Sequence, residues 1–559
     1  MHLKLIIFDS SAAKLWGSFI YLDFYSYYKM IFLLTISALI LVIFLLYLRT
    51  EDLLITKYYF PMIIYAIFIL LAAVFTEYSE IVIKGFPDRF ENSYVLLAYL
   101  VLTVVSLNLV AEKESVFFLL KGLLVASALL SIQGIFQFYN LDLLTTSFGK
   151  HLVTPSGLEF FTNQLSFIGK KVIYSTLYNP NYVGSYAVMV LALALTFFML
   201  AKRKRELWVW GFLTLLYYSF LVGSRSRAGF LSFLAVMVLL IIILGRQLKK
   251  NYCRLIVILF LFCLIFAIMG ARSVDSIFSD ILFPLSESEL AKEALILPPI
   301  TQVDFNSKKH ILTLFTTEAK FKFILQDSQF KLLQPDSALT IVKRNSSGVE
   351  YDFLQFNLSK HQFLANYKST LKWNYGSKKA VFVYQDSKLY LKGIQGHLFP
   401  LTKVEHWGFS GYERLGSSRL YIWSRTIPLL KKTFFIGHGA DSFAMYFPQQ
   451  DVVGKLKYFN DPAILVDKPH NLYLQIAINT GVLSLLALLV LWLSYLAQSI
   501  NLYFKASFNC WEQKTGLAVM LAIAAYLMAG FFNDSVVSAA PIFWILLGIG
   551  IRINLKQLD

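Results

Sequence analysis

Residues 181–200, NYVGSYAVMVLALALTFFML, form a run of twenty residues without a charged side chain. A helix of that length is about 30 Å long, which matches the hydrocarbon core of a bilayer. Similar apolar runs recur along the chain, at 30–48, 58–76, 93–111, 116–138, 207–223, 228–244, 255–270, 480–500, 516–532 and 536–551. The sequence therefore predicts eleven membrane-spanning helices.

The composition agrees with a membrane protein rather than a soluble one. Of 559 residues, 57% are hydrophobic and only 15% are charged, and the mean hydropathy is +0.60. Soluble domains carry about 25% charged residues. We expect an all-α polytopic membrane protein. Residues 1–29, a weaker apolar stretch broken by Asp9, Lys14 and Asp23, are a candidate twelfth span and lack the cleavage pattern of a signal peptide.

The net charge of +17 predicts a topology and does not indicate a nucleic-acid partner. Lys and Arg cluster in the short segments 202–205, 246–254 and 552–556, as in cytoplasmic loops. With these inside, 140–179 and the long polar stretch 271–468 lie outside. An inside N-terminus then requires the first weak segment to span the membrane.

Four regions follow from this pattern. They are N-terminal transmembrane helices at 1–270, an extracytoplasmic β-rich insertion at 271–410, an extracytoplasmic helical loop at 411–470, and C-terminal transmembrane helices at 471–559. Apolar and polar residues alternate with period two in 305–396, which predicts about eight short strands in a small β-sandwich. The cysteines Cys253, Cys263 and Cys510 lie elsewhere, so the insertion is not a disulfide scaffold.

The run Lys468-Pro469-His470-Asn471-Leu472-Tyr473-Leu474 stands where the polar stretch ends and a helix begins. A histidine at the mouth of a membrane helix either has a structural partner or takes part in proton transfer. From these residues alone His470 is a candidate for either role. Asn471 can cap the helix, and Tyr473 lies about one turn from His470.

Several arginines lie at predicted helix ends on the same outer side. Arg225 and Arg227 open one helix, and the guanidinium group suits phosphate, although snorkelling to lipid headgroups is the alternative. Arg419 lies four residues before Trp423, on the same face of a helix predicted for 417–432. Arg425 faces elsewhere on that helix, and we expect it to be solvated. No metal-ligand motif, phosphate-binding loop or dinucleotide fingerprint is present, which predicts no metal and no cofactor.

Together these motifs resemble the bacterial O-antigen ligase and polymerase superfamily. The resemblance rests on Asn179-Pro180-Asn181-Tyr182, Ser226-Arg227-Ala228-Gly229, Arg419-Leu420-Tyr421-Ile422-Trp423, Ile436-Gly437-His438-Gly439-Ala440-Asp441-Ser442-Phe443 and His470-Asn471-Leu472-Tyr473-Leu474. It implies a GT-C-like membrane glycosyltransferase of about twelve helices. Such an enzyme uses a glycan on an undecaprenyl pyrophosphate carrier, without metal or nucleotide.

The resemblance also implies roles for particular residues. Arg227 and Arg419 would bind the leaving pyrophosphate, and His470 would activate the acceptor hydroxyl. We expect further substrate contacts from Arg225, Asn471, Tyr473, Asn179, Asn181 and Trp423. Arg225 has no counterpart in the motif, and the β-rich insertion departs from the shortest members of the family.

The acceptor stays open at this point. It is a lipid or cell-wall acceptor for a ligase, a lipid-linked repeat unit for a polymerase, or a Ser or Thr side chain for a protein O-oligosaccharyltransferase. The competing functions are a glycan transporter or flippase, and a sensor or adhesin anchored by the bundle. We expect a monomer in the bacterial plasma membrane, surrounded by lipid, with its active site on the extracytoplasmic side.

Overall fold

A computed structural model gives the architecture. It describes residues 3–7, 20–110, 112–165, 167, 171–270, 300–316, 320–326, 329–333, 340–342, 354–358, 361–366, 369–375, 378–401 and 404–558.

The first half of the described chain is a short two-stranded sheet followed by helices. The strands are β1 Lys4–Ile7 and β2 Ile20–Asp23. The helices are α1 Tyr27–Tyr47, α2 Tyr59–Val74, α3 Ser79–Lys84, α4 Ser93–Leu109, α5 Lys113–Phe138, α6 Ser147–Val153, α7 Pro180–Leu200, α8 Lys204–Ser224 and α9 Arg227–Met269.

The second half begins with strands and returns to helices. The strands are β3 Ile300–Asn306, β4 Ile311–Thr316, β5 Lys320–Gln326, β6 Gln329–Leu332, β7 Thr340–Val342, β8 Leu354–Leu358, β9 His361–Asn366, β10 Thr370–Tyr375, β11 Lys378–Gln385, β12 Lys388–Lys392 and β13 Leu398–Pro400. The helices are α10 Leu415–Thr426, α11 Phe443–Tyr446, α12 Val452–Phe459, α13 Leu472–Asn479, α14 Val482–Phe504, α15 Trp511–Ala529 and α16 Ala540–Lys556.

The protein is a multi-pass membrane protein, as predicted. Seven described helical segments are long and apolar enough to cross a bilayer: α1, α5, α7, α8, the two halves of α9, and α14. Helices α2 and α4 are shorter and apolar, and α15 and α16 share the same hydrophobic core. These segments coincide with the eleven apolar runs of the sequence.

Helix α7, which carries the run quoted first, lies at the centre of the bundle. Every residue from Tyr182 to Leu200 is buried in the protein. Helices α8, α9 and α15 pack around it. A helix that is apolar on all sides is stable in this central place, because each of its faces meets another apolar helix.

Helix α9 is 43 residues long but crosses the bundle twice. The rings of Phe230 and Phe266 lie 5.3 Å apart, and those of Phe233 and Phe262 lie 5.5 Å apart. A straight helix would separate such pairs by roughly 50 Å. The halves Arg227–Gly245 and Tyr252–Met269 therefore lie antiparallel, as the two predicted spans require.

The expectation of a twelfth span near the N-terminus is corrected within the described residues. Lys4–Ile7 and Ile20–Asp23 pair as antiparallel strands and are not helical. The backbone N–H of Leu3 donates to the carbonyl of Val153 at 2.9 Å, in the segment between α5 and α7. The tertiary contact with that segment overrides the weak apolar pattern, and the N-terminus lies at the same end of the bundle as 140–179.

Contacts between loops agree with the predicted assignment of segments to the two sides of the membrane. Lys202 Nζ donates to Asn509 at 3.3 Å, and Arg254 donates to the carbonyl of Ala201 at 2.7 Å. These segments, all predicted to be inside, therefore meet at one end of the bundle. At the other end Lys29 donates to Ser538 at 3.2 Å.

The insertion is β-rich, as predicted. Strands β3–β6 form one antiparallel meander, and β7–β13 form another in the order β13-β12-β11-β10-β9-β8-β7. Alternate residues of both sheets point into one apolar core that contains Leu312, Phe323, Trp373 and Phe382. Residues 271–299 and 343–353 lie outside the described residues.

Cysteine labelling tests the position of the N-terminus. In a variant with Cys253, Cys263 and Cys510 replaced by Ser, a membrane-impermeant maleimide should label Ile7→Cys in intact cells. It should label Lys505→Cys, at the opposite end, only after permeabilisation. Labelling of position 505 but not position 7 in intact cells would reverse the topology.

Candidate active site

The backbone of His470 is held on both sides at the entrance to α13. The indole N–H of Trp423 donates to the carbonyl of Pro469 at 2.8 Å. Asn471 caps α13, because its Oδ1 accepts from the N–H of Leu474 at 2.9 Å. His470 has φ 50°, in the left-handed region, which costs a non-glycine residue about 1 kcal/mol. The flanking contacts maintain this conformation.

The imidazole of His470 faces a buried carboxylate. Its Nδ1 lies 3.3 Å from Oδ2 of Asp534, and the side chains are 27% and 1% exposed, respectively. A carboxylate at Nδ1 favours the tautomer that carries its proton there. The basic nitrogen is then Nε2, which is the arrangement that a general base needs.

The loop that carries Asp534 is hydrogen-bonded to two helices, α7 and α13. Asn533 Nδ2 donates to the carbonyl of Asn181, on α7, at 3.1 Å. The N–H of Ser535 donates to Gln475 Oε1, on α13, at 2.7 Å, and the N–H of Asn471 donates to Asp534 Oδ1 at 3.3 Å. The loop begins where α15 ends, so the position of the carboxylate is set by the packing of the bundle.

Asp534 stays ionised because it is surrounded by cations. Burial alone would raise the pKa of its carboxyl, but His470, Lys468 and Arg89 outweigh burial and hold that pKa below its ordinary value. A carboxylate that is charged at neutral pH can stabilise an imidazolium beside it.

Arg419 follows a strained turn at the start of α10. Gly416, Ser417 and Ser418 have φ values of 65°, 60° and 64°. Left-handed conformations are uncommon in serine and are held here by contacts, among them the bond from Ser418 Oγ to the carbonyl of Tyr458 at 2.8 Å. Arg419 Nη1 donates back to the carbonyl of Gly416 at 2.8 Å. The turn thus orients the guanidinium group.

The surroundings of Arg419 connect it with two other site residues. Burial lowers the pKa of its guanidinium, Asp534 raises it, and Arg227 lowers it further. Arg419 therefore lies within electrostatic range of both residues. Within the described part of the chain its buried Nε has no hydrogen-bond acceptor, which is unusual for a buried donor. An oxyanion is the ligand that this guanidinium suits.

Arg227 is the first residue of α9, where the positive end of the helix dipole also attracts anions. Ser226 caps the helix, since its Oγ accepts from the N–H of Gly229 at 3.2 Å. The same hydroxyl donates to Asn181 Oδ1 at 3.4 Å. A Cβ on Gly184 would lie 2.2 Å from this Oγ, so glycine is needed for α7 to approach Arg227 so closely.

The structure thus places His470 beside Asp534, and Arg419 within electrostatic range of both Asp534 and Arg227. Most of the other predicted substrate contacts are engaged within the protein. Asn179 caps α7 by accepting from the N–H of Asn181 at 2.9 Å, and the Tyr473 hydroxyl donates to the carbonyl of Leu527 at 2.8 Å. Such contacts favour positioning roles. Substrate contact by Asn179, Asn181, Trp423, Asn471, Tyr473 and Arg225, which ends α8 with φ 57°, stays a prediction.

Two buried cations near this site were missed by the sequence analysis. Arg89, 2% exposed, contacts Asp441 at 3.2 Å and donates to the carbonyl of Asp467 at 2.9 Å. Lys468 donates to the Tyr182 hydroxyl at 3.2 Å. Burial would lower the pKa of Lys468, but Asp467 and its other acidic neighbours raise it well above the ordinary value. Arg89 could have been identified from the sequence, because it is an arginine in a short loop predicted to lie outside the membrane.

Arg425 is not solvated, contrary to the prediction. It is buried, and its Nε lies 3.0 Å from Oδ2 of Asp451. Its guanidinium also stacks 4.4 Å from the centre of the Tyr421 ring. The helix is also shorter than predicted: α10 ends at Thr426 and a 3₁₀ turn, Ile427–Lys431, follows.

The glycine-rich motif joins this loop to the membrane domain. Gly437 lies so close to the backbone of Asn479 and Thr480 that an added Cβ would approach it to 2.4 Å. The N–H groups of His438 and Gly439 donate to the carbonyls that end α13, at 2.9 and 2.8 Å. Only glycine allows this contact, which fixes the loop against the helix that His470 precedes.

No group of three His, Cys, Asp or Glu side chains is arranged to hold a metal ion among the described residues. Residues 380–489 match the family model described as O-Antigen ligase. This part of the chain is similar to the O-antigen ligase family. The match includes Arg419 and His470, and it confirms the predicted resemblance to the O-antigen ligase and polymerase superfamily. No curated protein and no solved structure gave a significant match.

The matched region thus contains the helical loop and α13, while Arg227 lies in the N-terminal helices outside it. This arrangement in a multi-pass membrane protein supports a membrane glycosyltransferase role of the ligase or polymerase type.

The close approach of α7 and α9 gives a stability prediction. Gly184→Ala should lower the free energy of unfolding by about 1–3 kcal/mol, because its Cβ would overlap Ser226. The matched control is Gly122→Ala on α5, where nothing lies within 4 Å of the new Cβ. The control should be neutral or slightly stabilising. Thermal unfolding of the purified protein in detergent measures both, and equal midpoints would contradict the tight crossing.

Proposed function

We propose that this protein transfers a glycan from an undecaprenyl pyrophosphate carrier to an acceptor hydroxyl at the outer face of the bacterial plasma membrane. The observation that carries the proposal is the His470–Asp534 pair beside Arg419 and Arg227 at the mouths of membrane helices. A base and two guanidinium groups are what a direct displacement from a pyrophosphate needs.

In the proposed reaction His470 acts as the general base. The acceptor oxygen attacks the anomeric carbon, and its proton passes to Nε2 of His470 as the new glycosidic bond forms. Asp534 orients the ring through Nδ1 and stabilises the imidazolium. Water then takes the proton away.

Arg227 and Arg419 would stabilise the leaving group. As the bond from the anomeric carbon to the pyrophosphate oxygen breaks, negative charge grows on the pyrophosphate. The guanidinium groups and the N-terminus of α9 are positioned to bind that charge. We propose that they do so without a metal ion. A single displacement inverts the configuration at the anomeric carbon.

The outer location rests on the distribution of Lys and Arg. The basic segments 202–205 and 246–254 meet at the end of the bundle opposite His470 and Asp534. Because such clusters stay in the cytoplasm, the site faces outward. A lipid-linked donor can then enter from the membrane while the acceptor arrives from the external water.

The acceptor class stays open among a ligase, a polymerase and a protein O-oligosaccharyltransferase. A transporter or flippase is the alternative outside the family. No described contact favours it, whereas the paired base and arginines favour chemistry.

Removing the base or an arginine should abolish transfer without unfolding the protein. In an assay with purified protein and a lipid-linked glycan, His470→Ala should lose about 10²–10⁴-fold in rate. Arg227→Ala should lose about 10²–10³-fold. Arg203→Ala, in an exposed inner loop, is the control and should keep the wild-type rate. Wild-type rates in both site variants would contradict the proposed mechanism.

The isosteric change Asp534→Asn tests whether Asp534 orients the imidazole of His470 for catalysis. It should lower kcat by up to about 10⁴-fold, because an amide stabilises neither the tautomer nor the imidazolium. The change should also destabilise the protein, since buried cations lose a counter-charge. Glu112→Gln, in an exposed pair with Lys556, is the matched control. An unchanged kcat in a folded Asp534→Asn protein would remove Asp534 from the mechanism.

The size of the surface glycan in a deletion strain identifies the reaction. Loss of long chains indicates a polymerase, because repeat units are no longer joined. Long chains that stay on the lipid carrier indicate a ligase. An unchanged surface glycan with an unglycosylated exported protein indicates the protein-modifying activity.

A further inference from the structure

A polar cleft lies where the β-sandwich meets the active-site loop, and the mechanism above does not use it. We call it the junction cleft. Its volume is about 550 Å³, within the range of ligand sites. Its polar lining comes from strand β3, the segment before α10, α10 itself and the region of α12, through Gln302, Asp304, His406, Glu413, Arg425, Asp451, Lys457 and Tyr458.

We propose that the junction cleft binds a stretch of the glycan chain away from the reacting sugar. This rests on the proposed function, since the glycan is the one that the active site transfers or extends. The site would thereby distinguish long glycans from single repeat units.

The chemistry of the lining favours a polyhydroxylated ligand. The lining contains carboxylates, cations and neutral polar groups together with the apolar side chains of Val303, Leu401, Val404 and Val453, so it offers no single-sign surface to a polyanion. Sugar hydroxyls both donate and accept, which suits mixed groups of this kind. Gln302 and Asp304 are exposed on one face of β3, where the amide donates to both carboxylate oxygens at 3.0 Å. The carboxylate oxygens of Asp304 keep further lone pairs for a ligand.

Aromatic side chains flank two lining residues in sequence. Trp407 follows His406 and is 68% exposed, and Tyr412 precedes Glu413 and is 64% exposed. The apolar faces of sugar rings pack on such side chains, as in other stacking contacts.

The cleft is rigidly connected to the active site. Asp451 forms its floor, binds Arg425 at 3.0 Å and accepts from the Tyr421 hydroxyl at 3.0 Å. Both partners lie on α10, the helix that also carries Arg419 and Trp423. On the far side, Val452 of α12 is buried in the core of the sandwich. A glycan in the cleft therefore contacts both the insertion and the helix that holds the pyrophosphate site.

The geometry of α10 separates the cleft from the reaction. Residues two apart point to nearly opposite sides of a helix. Trp423 contacts the peptide before His470, and Arg425 lines the cleft. The helix is about 10 Å thick, so the cleft holds sugars beyond the reacting one. Its loss should therefore weaken binding of long chains and leave the chemical step intact.

Direct binding tests the inference on the full-length protein in detergent. The probe is the glycan released by mild acid from the lipid-linked pool of the same cells, sorted into single repeat units and multi-repeat chains. Multi-repeat chains should bind the wild type, and Asp304→Asn and His406→Ala, from opposite walls, should each weaken binding about tenfold. Asp386→Asn, in an exposed turn of the same sandwich and outside the cleft lining, is the matched control and should bind normally.

In the transfer assay the same variants should raise KM about tenfold for multi-repeat substrates, with kcat and the KM for single repeats unchanged. Wild-type binding by both variants, an equal loss in Asp386→Asn, or binding of polylysine in place of glycan would overturn the inference. If the protein binds glycan through the cleft but transfers none, the inference about the cleft is supported and the proposed function is refuted. If it transfers glycan but the cleft variants bind normally, the proposed function is supported and the inference about the cleft is refuted.

Discussion

The buried carboxylate of Asp534 is the interaction on which the site depends. Three cations and the imidazole of His470 lie within its electrostatic reach, the cations being Arg419, Lys468 and Arg89. These groups come from segments that are far apart in the chain, so one charge assembles them. Removing one partner from a buried set of this kind typically costs 3–5 kcal/mol. The network therefore holds the outer loops in one arrangement before any substrate binds.

Close backbone contacts supply the rest of that arrangement. Ser226 meets Gly184 where α7 and α9 cross, and this contact sets the direction in which α9 presents Arg227. Gly437 meets the end of α13, and this contact ties the loop after α10 to the helix that follows His470. Membrane helices approach closely only at small residues, because lipid gives no hydrophobic force between them. The positions of Arg227 and His470 are thus set by tightly packed helices and the segments fixed to them.

The sequence predicted the parts of the structure that depend on local pattern. Apolar runs predicted the spans, and period-two alternation predicted the β-rich insertion. The roles of His470 and the arginines, predicted from spaced motifs, stay predictions. It missed what depends on contacts between distant segments. Arg89 and Asp441 are 352 positions apart, and no periodicity links them. Helix geometry correctly predicted that Arg425 lies on a different face from Arg419. Its partner Asp451, just before α12, could not be predicted, because the two residues meet only in the folded chain. The prediction of an N-terminal span was wrong for the same reason. The structure there is decided by the pairing of β1 with β2 and by the contact of Leu3 with Val153.

The balance of charge supports the proposed binding of a pyrophosphate. Arg89 and Lys468 are compensated by Asp441 and Asp467. Asp534 raises the pKa of Arg419 and so compensates it in part, while Arg227 lowers that pKa because the two guanidinium groups repel each other. A pyrophosphate between them would relieve that repulsion, and more so as its charge grows while the glycosidic bond breaks. The stabilisation is then greater in the transition state than with the intact donor, which is the condition for catalysis rather than for tight binding alone.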